Sequence, residues 1–229
     1  MSRVAGVTPA KTRERLLAAA ADVFAARGYE GTRVADIAAA AGVSNGALYA
    51  HFGSKAGLLV AALRAHGGQV MADLLAADPD RPVSDLLLQS GRALPRRCDD
   101  RSYLAAEALI SARRDKDVAE LMHEYVTGRA GWLGGLMRKG QASGEMDPAL
   151  SPGALAHFCL LLAFGSYLLP PELHAVDEAE WSALLERVVT AWSPVPAAAT
   201  QDQGAEGDTR EKKREVAHGR TQEPDGCAS

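Results

Sequence analysis

Residues 32–59 constrain this chain more than any other stretch. Their apolar spacing, a glycine and a serine describe two short helices joined by a tight turn, with a third helix beginning just beyond. Val34, Ile37, Ala38 and Ala41 follow the i, i+3, i+4, i+7 spacing of one apolar helix face. Gly42 comes directly after them, where a helix end calls for a left-handed backbone. Val43 fills the turn, and Ser44 carries a hydroxyl suited to cap the next helix. Leu48 and Phe52, four residues apart, anchor that second helix and leave Asn45, Gly46, Ala47, Tyr49 and His51 on its other face. Those residues are small or hydrogen-bonding, and a helix with such a face can lie in a DNA major groove.

The chemistry of that face can be assigned residue by residue. An amide such as Asn45 can bond two edges of adenine at once, and the methyl of Ala47 can touch that of thymine. Gly46 and Ala47 are small enough to let a backbone come close. Ser44 is expected to cap the helix, to bond a phosphate, or to do both. Thr32 and Arg33 at the entry to the first helix of the pair, and Lys55 at the entry to the helix that follows, look like phosphate anchors, since helix N-termini already favour anions. Thr32 is also placed to cap the helix it precedes, and Ser54 the one after the pair.

The stretch from Lys11 to about Leu63 resembles the DNA-binding domain of the TetR (tetracycline-repressor-like) family of bacterial regulators. The agreement runs through Leu16, Leu17, Ala20 and Phe24, then Arg27-Gly28-Tyr29, Gly31-Thr32, Asp36-Ile37-Ala38 and Ala41-Gly42-Val43-Ser44. It continues through Gly46-Ala47-Leu48-Tyr49, His51-Phe52 and Ser54-Lys55. The family often has acidic residues after that lysine, where this chain has Ala56-Gly57. The resemblance implies that Tyr49 and His51 hold phosphates. Packing of Tyr49 on the first helix and an internal hydrogen bond for His51 are the competing readings. It further implies a larger domain with a small-molecule cavity, and a four-helix dimer interface built from the last two helices of each chain.

Charge is distributed to suit. Residues 1–70 carry eight Lys/Arg against four Asp/Glu, residues 71–193 twelve against eighteen, and residues 194–229 five against seven, within an overall net charge of −4. The positive excess therefore lies in the segment that would meet phosphates. Alanine- and leucine-rich segments with few β-branched clusters favour helix throughout, and no convincing strand is legible. The expected fold is all-α, with an N-terminal three-helix helix-turn-helix domain over 10–70 joined to a larger helical effector-binding and dimerisation domain over 71–193. The first helix is expected over about 11–27. The helix opened by Ser54 is expected to run toward Leu75, with Gly67-Gly68 able to bend or break it.

Amphipathic stretches near 84–97, 101–113 and 116–142 follow a turn at Asp78-Pro79-Asp80-Arg81-Pro82. Two helices near 153–169 and 177–192 come last. The first of these is apolar nearly all round, so its surface requires partners on every side. From residue 194 onward the composition is polar and charged, a segment expected to be a disordered tail.

Polar and aromatic side chains scattered among the later helices are candidates for an effector pocket: Tyr103, Glu107, His123, Trp132 and Phe158. The three cysteines, Cys98, Cys159 and Cys227, have no metal-binding spacing, so no metal and no cofactor are expected. His123-Glu124 does not continue into a zinc-protease motif, and no nucleophile elbow or phosphate loop occurs, which argues against an enzyme. No apolar run is long enough to span a bilayer and no signal-peptide core opens the chain, so a soluble cytoplasmic protein is expected. These readings converge on a homodimeric regulator of transcription that binds a near-palindromic double-stranded DNA operator and is released as a repressor by a small molecule. The rival is a helical ligand-binding or scaffold protein whose helix-turn-helix no longer binds DNA.

Overall fold

The computed structural model describes residues 8–66, 70–96, 103–169 and 173–194. Among the described residues the chain is helical throughout: α1 (Pro9–Gly31), α2 (Val34–Ala41), α3 (Asn45–Phe52), α4 (Lys55–His66), α5 (Val70–Ala77), α6 (Val83–Arg92), α7 (Tyr103–Ser111), α8 (Lys116–Ala142), α9 (Pro152–Leu168) and α10 (Glu178–Thr190), with a 3₁₀ turn at Leu94–Arg96. The tail expected over 194–229 lies outside the described residues except for Pro194.

Local chemistry accounts for most of the helix starts. Thr8, Ser44, Asp115, Ser151 and Asp177 each accept a hydrogen bond from a backbone N–H of the turn that follows. Ser54 does the same for α4, accepting the Gly57 N–H at 2.9 Å. Thr32 does not. The residue preceding α2 is Arg33, without a side-chain cap, while the Thr32 hydroxyl donates back to the Gly28 carbonyl at 2.6 Å. It closes α1, whose backbone has already left the helical region at Gly28. Of the helix expected to run toward Leu75, α4 is described to His66 and α5 from Val70, and the Gly67-Gly68 pair lies outside the described residues.

One apolar cluster joins the reading unit to the rest of the chain. Leu16, Leu17, Ala20 and Phe24 of α1, Ile37 of α2, Leu48 of α3 and Leu58, Leu59 and Leu63 of α4 share a core with Leu104 of α7 and Val118, Met122 and Tyr125 of α8. Burial of each such side chain contributes on the order of 1.5–3 kcal/mol, so this shared core fixes how the first helices sit on α7 and α8. A second cluster gathers Val83, Leu86 and Leu87 of α6, Leu136 and Met137 of α8, Leu155 of α9 and Val189 of α10. α9 packs along α8, and α10 along α6. Among the described residues α9 and α10 keep apolar side chains on the surface, with Leu161 60% exposed and Leu184 53% exposed.

Candidate nucleic-acid interface and ligand cavity

The turn between α2 and α3 forms because its own residues permit nothing else as cheaply. Gly42 takes the left-handed conformation (φ 65°, ψ 40°) that a side chain disfavours. The N–H groups of Gly42 and Val43 then satisfy the Ala39 and Ala38 carbonyls at 3.0 and 2.9 Å. Val43 packs on the core, and the Ser44 hydroxyl accepts the Ala47 N–H at 3.2 Å. The α3 helix is thereby set down with Leu48 fully buried beneath it and Phe52 partly buried.

The opposite face of α3 turns outward. Ser44, Asn45, Gly46 and Tyr49 are exposed, and Ala47 and His51 are half-buried. Tyr49 is 50% exposed, so its ring is not packed away on α1. The His51 ring lies 6.0 Å from that of Phe52. A methyl added at Gly46 would meet only the Ser44 hydroxyl, at 3.9 Å, so nothing within the protein demands a glycine there. Arg33 is exposed at the start of α2, where it is the cap residue and its side chain makes no capping hydrogen bond.

Two basic residues that sequence reasoning did not single out stand beside this face. The Arg13 guanidinium lies 5.3 Å from the centre of the Phe52 ring, and that of Arg15 lies over Gly42, 2.7 Å from where a Cβ would be. Both are exposed on α1, and neither they nor Arg33 form an ion pair among the described residues. The available signal was the Lys11, Arg13, Arg15 run itself, opposed only by Glu14.

Lys55 and Thr32, expected at phosphates, point into the domain. The Lys55 ammonium donates to the carbonyls of Tyr29 at 2.9 Å and Thr32 at 3.3 Å, and lies 4.1 Å from the centre of the Tyr29 ring. Thr32 is 2% exposed. Next to Lys55, Gly57 is required by its surroundings, since an added Cβ would lie 2.3 Å from the Phe52 carbonyl oxygen.

Tyr29 connects the reading unit to the helices behind it. Its N–H donates to Glu107 at 2.6 Å and its hydroxyl to Asp115 at 2.9 Å. Glu107 also accepts from the Ser111 hydroxyl at 3.2 Å. Burial, then the hydrogen bond to Asp115, pushes the Tyr29 phenol well above its ordinary pKa. The Asp115 carboxyl is held below the usual carboxylate range, first by the Val118 N–H that it caps and also by the Tyr29 hydroxyl. Glu107, expected in an effector pocket, is thus a ligand of the α1 end.

The effector candidates do not come together. Tyr103 and His123 are exposed. Trp132 borders a surface hollow of about 360 Å³ with Arg64, Glu124 and Arg129. Only Phe158 among the five lines the apolar cavity enclosed by α6, α8, α9 and α10, of about 90 Å³. Its walls include Leu87, Leu133, Leu160, Phe164, Leu185, Val189 and Trp192, with Phe158 and Trp192 meeting edge to face at 5.6 Å. The polar lining consists of Ser90, Tyr125, Arg129, Cys159 and Tyr167. Burial pushes the Cys159 thiol up to about 11 and also raises Tyr125, as a poorly hydrated site must.

The helix-turn-helix and its surroundings have known counterparts. The model of the family described as bacterial regulatory proteins, tetR family, matches residues 16–62. The HTH-type transcriptional repressor DhaR of Mycobacterium sp. (strain GP1) is 37% identical over 172 residues, which cover 68% of this chain and 80% of DhaR. A TetR-family transcriptional regulator from Rhodococcus sp. shares the fold with a TM-score of 0.68 at 24% identity, over 80% of this chain and 99% of that one. The transcriptional regulator FadR from Bacillus subtilis, solved in complex with stearoyl-CoA, shares it with a TM-score of 0.61 at 18% identity, over 78% of this chain and 97% of that one.

Proposed function

This chain belongs to the tetR family of bacterial regulatory proteins and is a helix-turn-helix transcriptional regulator. On that premise we propose how it divides its work. Residues 10–70 read a near-palindromic operator, and residues 71–193 pair two copies and hold the small molecule that releases them. The observation that carries the first half is the outward face of α3. A capped helix presents an amide, two small residues and a half-exposed phenol, with Arg13, Arg15 and Arg33 around it. Asn45 and Ala47 take the base edges, while Ser44, Tyr49, His51 and the three arginines take phosphates. Gly46 leaves room for the sugar-phosphate backbone. Lys55 and Thr32 serve the same surface from behind, by holding the α1–α2 connection.

The homodimer is supported by the apolar faces of α9 and α10, where Leu161 and Leu184 are more than half exposed. A dimer of one-helix readers sets α3 and its mate about 34–36 Å apart, one turn of DNA, or a multiple of that. The effector reading is supported by the cavity among α6, α8, α9 and α10, and by a protein of the same fold holding stearoyl-CoA. No helix among the described residues is long and apolar enough to cross a membrane, in keeping with a protein that works on DNA in the cytoplasm. Footprinting on the DNA flanking its own gene, paired with sedimentation in dilute solution, tests the reading. The expected result is a two-fold protected site and a dimer. A monomer that binds its site tightly refutes the dimer, and no protection on any flanking DNA refutes the operator.

A further inference from the structure

Ser90 is the anomaly of the ligand cavity. It sits on α6, is 7% exposed, and its hydroxyl makes no hydrogen bond among the described residues although it lies in a wall of leucines and aromatic rings. Native proteins leave few such groups unmet, and each one calls for a missing partner. A lone water is a poor candidate in an apolar chamber, because a buried water needs two to four polar contacts.

The rest of the chamber limits what that partner can be. At about 90 Å³ the cavity is well below the roughly 300–1,000 Å³ of pockets that take drug-sized ligands, so it suits a compact molecule. No Asp or Glu lines it, so a cationic ligand finds no counter-charge. Its one charged lining group, Arg129, lies 5.8 Å from the centre of the Tyr125 ring. An anion would exchange water for a mostly apolar wall, an exchange that disfavours charge. From this we propose that the effector is a compact, uncharged hydrocarbon, aromatic or branched, carrying one hydroxyl or carbonyl oxygen that pairs with the Ser90 hydroxyl. This rests on the cavity being the effector site, as argued above.

Ser90 is also well placed to report occupancy. Its neighbour Gly91 lies against Leu185 of α10, 3.0 Å from where a Cβ would be, and its carbonyl accepts the Trp181 indole N–H at 2.9 Å. Arg92 pairs with Glu186 at 2.6 Å on the same seam, and Arg96 pairs with Glu178. A molecule bonded to Ser90 therefore bears directly on the joint between α6 and α10.

The test uses the full-length protein with phenol and cyclohexanol as probes. Benzene, benzoate and choline serve as controls, read by thermal shift and by tryptophan fluorescence, since Trp192 borders the cavity. Phenol or cyclohexanol should bind at least tenfold tighter than benzene, with benzoate and choline weaker still. Ser90→Ala should reduce that preference to less than threefold, and should melt no lower than the wild type, because the hydroxyl has no partner to lose. Equal binding of phenol and benzene to the wild type overturns the hydroxyl-pairing proposal while leaving the cavity in place as an apolar effector site. Preferred binding of benzoate or choline overturns the uncharged class. A preference for phenol that survives in Ser90→Ala overturns the role of Ser90. If a cavity-filling Ala163→Leu variant still binds the probes as the wild type does, the cavity is not the effector site, and the reading beneath this proposal fails with it.

Discussion

Replacing Lys55 by alanine separates two roles that a surface lysine near DNA can have. In the structure its ammonium donates to two main-chain carbonyls, at 2.9 and 3.3 Å, and lies over the Tyr29 ring. A hydrogen bond from a charged donor contributes about 1.5–3 kcal/mol when well buried. Lys55 is only half-buried and both bonds share one charge, so about 2 kcal/mol for the pair is reasonable after screening by solvent. The ring contact adds about 0.5–1 kcal/mol. A loss of about 2–3 kcal/mol in a chain of this size lowers the melting temperature by roughly 5–10 °C. The second measurement is operator affinity over a range of salt. A lysine that releases no counterion leaves the slope of log affinity against log salt unchanged, whereas removing a phosphate contact makes it shallower by about 0.9. The expected result for Lys55→Ala is thus a clear drop in melting temperature with an unchanged salt slope. A variant that melts within about 1 °C of the wild type and loses one unit of slope would place the lysine on a phosphate and refute the brace. Arg13→Ala or Arg15→Ala, in contrast, should show the shallower slope with little change in melting.

Four further outcomes follow from the same geometry. Asn45→Ala should relax base preference at one operator position, costing about 1–3 kcal/mol on the cognate site, as read by binding to single-base variants. Tyr49→Phe should weaken all sequences alike with no change in salt slope. Gly57→Ala forces a Cβ to within 2.3 Å of the Phe52 carbonyl; it should destabilise the protein by about 1–3 kcal/mol in denaturant titration, and lower operator affinity by shifting the end of α3. The Asp115 carboxyl has a depressed folded-state pKa, so its stabilising contribution is complete above the unfolded value of about 3.9 and is lost as pH falls through the folded one. Asp115→Asn, which keeps a capping side chain, should therefore show a shallower loss of stability below about pH 4 in acid denaturation monitored by circular dichroism.

The features readable in the amino-acid string are those whose partners are close along the chain. Gly42 after Ala41, Ser44 before Asn45 and Leu48 four residues from Phe52 involve spans of at most one helical turn. Steric and capping preferences decide such features, so the turn, the order of the helices and the outward face of α3 could be written down beforehand. The apolar surface of α9 was legible for the same reason: 3.6-residue periodicity shows when a helix has no polar side.

What stayed hidden depends on partners far apart in sequence. Lys55 has the composition of a phosphate anchor, and only the position of the Tyr29 carbonyl, 26 residues away, turns it inward. Glu107 has the composition of a pocket residue, yet it meets the Tyr29 N–H across 78 residues. The cavity gathers Phe158, together with Tyr125 and Tyr167, but not Tyr103, Glu107, His123 or Trp132, because α6, α8, α9 and α10 supply its main walls and those four residues lie elsewhere. Ser90 carried no signal at all. A serine on an amphipathic helix is ordinary until packing buries it among leucines, and the cost of an unpaired hydroxyl arises only once water has been excluded. The string of residues thus determined which helices form and which face of α3 turns outward, because those follow from neighbours within a turn. Tertiary packing decided which charges turn inward and where the apolar cavity lies, because burial is a property of the assembled helices and not of any one of them.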